Sequence, residues 1–122
     1  MTKKILIADD EQNIVISLEF LMKREGFAVC IANDGQEALD KVRSESPDLV
    51  LLDVMMPGSL NGLDVCRMLK SRPHPPRVLL LTARGRSEDL DAGLQAGAEA
   101  YLVKPFSPLQ LIENINEQLE SV

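Results

Sequence analysis

Pro47-Asp48-Leu49-Val50-Leu51-Leu52-Asp53-Val54-Met55-Met56-Pro57 decides the architecture. Four consecutive aliphatic residues between two carboxylates read as a strand covered on both faces, since a strand with one wet face would alternate polar and apolar. Similar runs stand at Ile5-Leu6-Ile7-Ala8, Phe27-Ala28-Val29-Cys30-Ile31, Val78-Leu79-Leu80-Leu81 and Tyr101-Leu102-Val103, separated by longer amphipathic stretches. Alternation of this kind predicts an α/β, doubly wound fold of five βα units, with a five-stranded parallel sheet between two helical layers.

Helical spacing appears at Ile14, Leu18, Leu21 and Met22, at Ala38, Leu39 and Val42, and at Leu111, Ile112, Ile115 and Leu119, and those stripes predict core contacts. Asp34 with Glu37, Asn61 with Asp64, and Ser107 with Pro108 and Gln110 are start signals, each setting a capping oxygen three residues before a partner. Gly26, Ser46-Pro47, Arg72-Pro73 and Gly97 are stop signals. Gly93, inside the predicted fourth helix, lowers its intrinsic stability by about 1 kcal/mol relative to Ala and suits an element that moves cheaply.

The 122 residues, 45% hydrophobic and 26% charged, fit one domain spanning 1–122 with a core that needs no disulfide or structural metal. Thirteen Lys and Arg against nineteen Asp and Glu leave a net charge of −6, which repels phosphate backbones and argues against direct nucleic acid binding. No segment approaches the ~20 apolar residues of a membrane span, so a cytoplasmic protein without membrane contact is expected. Cys30 and Cys66 lie far apart with no ligand-spaced partner and read as buried free thiols.

In an open α/β sheet, ligands bind beyond the carboxyl ends of the strands. Those ends carry Asp9-Asp10, Asp53, Thr82-Ala83 and Lys104-Pro105. Three carboxylates, a hydroxyl and an ammonium thus meet at one edge although they run from 9 to 104 in sequence. Converging carboxylates must protonate or hold a cation, and a donor set of oxygens alone selects a hard ion: Mg2+ first, with Mn2+ as the alternative. The set suits phosphoryl transfer to a carboxylate nucleophile. Asp53, alone after its apolar strand, is the expected acceptor, with Asp9 and Asp10 left for the metal and Lys104 and Thr82 for the phosphoryl oxygens. Asp48, at the opposite end of the same strand, is expected to be ordinary solvated surface. His74, in Arg72-Pro73-His74-Pro75-Pro76, is expected at that far edge, outside the chemistry.

Ile5-Leu6-Ile7-Ala8-Asp9-Asp10-Glu11, the stretch from Pro47 to Pro57, Leu81-Thr82-Ala83 and Lys104-Pro105-Phe106 together resemble the receiver domain of two-component response regulators, over essentially the whole chain. The resemblance implies a flavodoxin-like sheet in strand order 2-1-3-4-5. It also implies phosphorylation of Asp53 by a sensor histidine kinase or phosphotransfer protein, followed by slow self-catalysed hydrolysis. Mg2+ would be held by Asp10, Asp53 and the Met55 carbonyl, with Asp9 acting through water. Lys104, Thr82 and the backbone N–H of Ala83 would bind the phosphoryl group. A cis Lys104–Pro105 bond and a switch pairing Thr82 with Tyr101 are implied too, the latter repacking the face of helix 4, strand 5 and helix 5 toward a downstream protein or output domain. The chain would act as a monomer or a phosphorylation-dependent homodimer. The stretch from Met56 to Gly62 looks one residue longer than the family loop, beside the phosphorylation site.

Three rivals are weaker. A Mg2+-dependent phosphatase using an aspartyl phosphate would carry an acid two residues after its nucleophile, where this chain has Met55. A flavin module lacks support from one Tyr, three Phe, no Trp and no GxG. The regulatory part of a winged-helix transcription factor is suggested by Leu81-Thr82-Ala83-Arg84-Gly85-Arg86. Against it, no Lys or Arg follows Lys104, the last helix carries Glu113, Glu117 and Glu120, and Ala100 replaces the acid expected before Tyr101. A stand-alone receiver, or the receiver of another kind of multidomain protein, is favoured.

Overall fold

Five parallel strands run in the order β2-β1-β3-β4-β5, each followed by a helix, in a computed structural model that describes residues 2–56, 58–83 and 87–120, without the side chains of 87–90. The elements are β1 (Lys4–Ala8), α1 (Gln12–Arg24), β2 (Ala28–Ala32), α2 (Gly35–Glu45), β3 (Leu49–Asp53), α3 (Gly62–Lys70), β4 (Arg77–Thr82), α4 (Ser87–Gln95), β5 (Ala100–Val103) and α5 (Pro108–Glu120). Strand order reverses between β1 and β3, which opens a crevice at their carboxyl ends. Arg84-Gly85-Arg86, part of the motif shared with the winged-helix branch, lies outside the described residues, as does Pro57.

The apolar runs serve two cores at once because successive strand side chains point to opposite faces. Leu6, Val50, Leu52, Val78 and Leu80 pack with α2 and α3 residues such as Leu39, Val65 and Leu69. Ile5, Ile7, Leu49, Leu51, Leu79 and Leu81 pack on the other face with Val15, Leu18 and Met22 of α1 and Leu111 and Ile115 of α5. β3 is buried at all five positions, which accounts for its unbroken aliphatic sequence.

The capping signals act as expected. Asp34 accepts the Glu37 N–H at 2.8 Å, Asn61 and Asp64 form a reciprocal capping box, and the Ser107 hydroxyl accepts the Gln110 N–H at 3.0 Å. Gly26 and Gly97 take φ of +91° and +96°. Around each, the next residue's N–H reaches back to close the helix: Phe27 to Met22 at 3.0 Å and Ala98 to Gly93 at 3.3 Å. That use of Phe27 moves β2 one residue later than its apolar run suggests.

Two expectations need correction, and the glycine of α4 gains a packing cause. Cys66 is buried, but Cys30 is only half-buried, because β2 is an edge strand with one open side. Asp48 is not merely solvated: its carboxylate accepts the Lys4 N–H at 2.8 Å, supplying an acceptor at the beginning of β1. Gly93 has a packing cause, since a Cβ there would come within 2.8 Å of Leu80 Cδ1, so the helix backbone rests directly on β4. His74 stands as expected, exposed at φ +53° and lining a shallow hollow with Lys3, Pro47 and Asp48 at the opposite edge from Asp53.

Candidate functional site

Asp9, Asp53 and Thr82 are the buried polar side chains among the described residues, and all three sit at carboxyl ends of central strands. Burying them costs free energy unless partners compensate, so their shared location marks the place where this fold accepts an unfavourable term. Asp9 follows β1, Asp53 ends β3 opposite Leu81, and Thr82 ends β4 beside Val103. Lys104 follows β5, its backbone N–H donating to the Thr82 carbonyl at 2.7 Å, and the Lys104–Pro105 bond is cis.

Lys104 Nζ is the positive centre. It lies 3.3 Å from Asp9 Oδ2, 3.6 Å from Asp53 Oδ1 and 3.8 Å from Glu11 Oε1. The Glu11 N–H donates to Asp9 Oδ1 at 2.9 Å, and the Met55 N–H donates to Asp53 Oδ1 at 3.2 Å. Asp10 is exposed at the rim, yet one carboxylate oxygen from each of Asp9, Asp10 and Asp53 falls within 4.8 Å of the others.

Burial, and next the charge of Asp9, push the Asp53 carboxyl up to about 6, against the opposing pull of Lys104 and the Met55 N–H. For Lys104 burial works downward, but the Asp53 and Asp9 carboxylates outweigh it and hold the ammonium above its ordinary range. Asp53 is therefore a more basic carboxylate than a surface aspartate, facing a cation fixed in its charged form.

Three carboxylates and one ammonium leave a formal charge of −2, all donors are oxygens, and one ligand is already at the solvent rim. This donor set fits a small hard divalent cation.

Ala83 is exposed immediately beyond Thr82, and Tyr101 is half-buried against the core shared by α2 and α3. Tyr101 pairs with Leu80, so strand alternation puts Thr82 and Tyr101 on the same face of the sheet. Met55 is 57% exposed beside Asp53. Two neighbours escaped sequence reasoning. Glu11 reaches Lys104, a contact hinted at only by its place after the Asp9-Asp10 pair. Gly62 touches β3 so closely that a Cβ would sit 2.2 Å from the Asp53 carbonyl oxygen, which no local signal beyond the Asn61 cap announces.

A doubly wound sheet with a buried acidic crevice at its switch point makes this an α/β protein with a candidate cation site at the carboxyl ends of its strands. Residues 5–116 match the family model of the response regulator receiver domain, and the chain belongs to that family. It is 45% identical over 111 residues to the alkaline phosphatase synthesis transcriptional regulatory protein PhoP of Bacillus subtilis, covering 91% of this chain and 46% of PhoP. It is 40% identical to the DNA-binding response regulator MtrA of Mycobacterium tuberculosis, covering 98% and 51%. The chain thus spans about half the length of these relatives. A putative response regulator from Chloroflexus aurantiacus superposes with a TM-score of 0.93 at 33% identity, covering 98% of this chain and 99% of that one. The chain is a response regulator receiver domain of two-component signalling.

Proposed function

We propose that residues 1–122 form one cytoplasmic phosphorylation switch in which Asp53 accepts a phosphoryl group from a phosphohistidine of a sensor kinase or phosphotransfer protein. The observation that carries this is the burial of Asp53 beside Lys104, with the acceptor's basicity raised and a cation held against it. A carboxylate oxygen of Asp53 attacks phosphorus in line with the P–N bond. That bond breaks, and the electron pair returns to the imidazole nitrogen, which takes up a proton. Lys104 then exchanges carboxylate contacts for a phosphoryl oxygen, while the Thr82 hydroxyl and the Ala83 N–H donate to others. Asp10, Asp53 and the Met55 carbonyl would hold Mg2+, with Asp9 acting through water, and the ion when bound neutralises charge on the transferring group; Mn2+ suits the same donors.

The phosphodonor has an approach from one side. Lys104 and Pro105 border an open groove of about 790 Å³ between α1 and α5, otherwise largely apolar, lined by Ile14, Phe20, Leu21 and Phe106. Phe20 is 68% exposed there, a poor arrangement for an unpartnered surface and a good one for the partner's histidine-bearing domain.

Movement of Thr82 toward the phosphoryl group and of Tyr101 into the vacated space would repack the face of α4, β5 and α5 for a downstream protein or output domain. The names of PhoP and MtrA support an output domain that regulates transcription. The acidic α5, with Glu113, Glu117 and Glu120, instead supports signalling by protein contact, as a monomer or a phosphorylation-dependent homodimer. The phosphoryl group leaves by self-catalysed hydrolysis, without turnover of a separate substrate, because Met55 stands where a phosphatase would place its acid.

Intact mass after incubation with acetyl phosphate tests the reading. One phosphoryl group is expected on the native chain with Mg2+, and none without the metal or on Asp53→Asn. Equal labelling of Asp53→Asn would overturn it.

A further inference from the structure

We propose that Lys70 and Glu99 form a pin that fixes the C-terminal end of α4 and the start of β5 to α3, so that rearrangement of the α4–β5–α5 face pivots at that end. The pivot rests on the phosphoacceptor role proposed for Asp53; the pin itself stands on the geometry of the α3–α4 seam.

Glu99 spends both carboxylate oxygens and its backbone N–H on this seam. One carboxylate oxygen accepts from Lys70 Nζ at 2.7 Å, the other accepts the Val78 N–H at 2.8 Å, and its own N–H donates to the Val78 carbonyl at 3.0 Å. Lys70 Nζ also donates to the Pro76 carbonyl at 3.0 Å, and Arg77 lies 3.9 Å from the same carboxylate. The Lys70 and Glu99 side chains are 17% and 18% exposed, so solvent screens the pair weakly and loss of one partner strands the other.

Neighbouring contacts hold the same end of α4. The Cys66 thiol of α3 donates to the Ala96 carbonyl at 3.5 Å. The Lys70 stem runs against Gly97, where a Cβ would fall 3.0 Å from Lys70 Cγ. Gly93 rests on Leu80. Contacts at 93, 96, 97 and 99 therefore tie the last turn of α4 and the first residue before β5 to α3 and β4. The other end of α3 abuts the acceptor: Gly62 lies against the Asp53 carbonyl, and its N–H donates to the Val54 carbonyl at 2.9 Å. Nine helical residues make α3 a strut of ~13 Å between the phosphorylation site and the pin. A pivot at this end gives its largest displacement at the opposite end of α4, which begins at Ser87.

Hydrogen exchange on the full chain, with and without beryllofluoride and Mg2+ as a phosphoryl mimic, tests the pin. In the native chain the mimic is expected to change exchange at 87–92 and leave 96–101 as protected as before. Glu99→Gln and Lys70→Met are expected to speed exchange at 96–101 at least tenfold without the mimic and to let its effect spread into that segment. Lys70→Arg, which keeps the charge, is expected to restore protection, and this rescue separates pinning from a general loss of fold. Equal responses of 87–92 and 96–101 in the native chain, or unchanged exchange at 96–101 in both loss-of-charge variants, would overturn the proposal. Silence of the native chain to the mimic together with no labelling by acetyl phosphate would defeat the phosphoacceptor reading instead, while the mimic-free comparison still decides the pin.

Discussion

Asp53 stands against the usual behaviour of a carboxylate, because its folded environment favours the protonated form up to about pH 6. In the unfolded chain the same group ionises near pH 3.9. With the folded value raised, the folded state binds the proton more tightly, so the contribution of this group to stability is highest at low pH and declines as pH rises from about 4 to 6. Above pH 6 the full cost applies, about 3 kcal/mol on the scale of ~1.4 kcal/mol per pKa unit. Asp53→Asn removes that cost. In metal-free buffer at pH 8 the variant is expected to melt roughly 9–15 °C above the native chain, and at pH 4 the two should nearly coincide. Thermal unfolding followed by circular dichroism at the two pH values checks this, and an equal difference at both would place the cause outside Asp53 ionisation. The acceptor, Asp9, Thr82 and Lys104 were legible in the sequence because each ends or follows an apolar strand, and topology alone brings strand ends together. The reach of Glu11 to Lys104 and the approach of Gly62 to Asp53 were not. Both depend on distances set by tertiary packing, which residue type and spacing do not encode.

Helices α2, α3 and α5 begin where a side chain caps them, so their starts were among the most legible parts of the fold. Asn61 satisfies the Asp64 N–H, and Asp64 returns a bond to the Asn61 N–H. Asn61→Ala is expected to cost about 1 kcal/mol in urea unfolding, the ordinary value of a cap, while leaving Asp53 able to accept a phosphoryl group. One residue later the outcome changes in kind. Gly62→Ala would drive a methyl group to 2.2 Å from the Asp53 carbonyl oxygen and 2.6 Å from Val54 Cα, both backbone atoms of the acceptor strand and its exit. Relief requires α3 or the end of β3 to shift, so a loss of about 3 kcal/mol is expected, at the upper end for overpacking. Labelling by acetyl phosphate should slow at the same time. A Gly62→Ala chain that loses stability yet labels at the native rate would separate α3 placement from the acceptor geometry. Less legible were the edge element β2, where the Gly26 turn consumes Phe27, and the α3–α4 seam, where Lys70 and Glu99 are 29 residues apart and neither lies in a recognisable motif.

At the scale of the whole molecule, the sheet gathers negative charge from positions 9 to 53 against a single ammonium from position 104, in a chain already at −6. This concentration gives a divalent cation a reason to bind and a proton a reason to compete with it. Below about pH 6 Asp53 holds its proton in the metal-free chain, so binding Mg2+ must expel it, and apparent affinity should fall by up to tenfold per pH unit from 6 downward. Binding to the folded state alone stabilises by RT ln(1 + [L]/Kd), about 2.7 kcal/mol at a hundredfold excess over Kd. At pH 7.5, therefore, saturating Mg2+ is expected to raise the native melting temperature by roughly 8–13 °C. At pH 5 and the same Mg2+ concentration, a tenfold weaker affinity removes about 1.4 kcal/mol of that gain, so the rise should be about half as large. Asp53→Asn, which lacks both the ionisable ligand and the competing proton, should respond weakly and equally at the two pH values. Calorimetric titration in buffers of different ionisation enthalpy would count the proton directly: close to one released per Mg2+ at pH 5 and almost none at pH 7.5. Proton release independent of pH, or an Asp53→Asn response equal to the native one, would mean that the cation is held elsewhere on the acidic surface and not in the crevice formed by Asp9, Asp10 and Asp53.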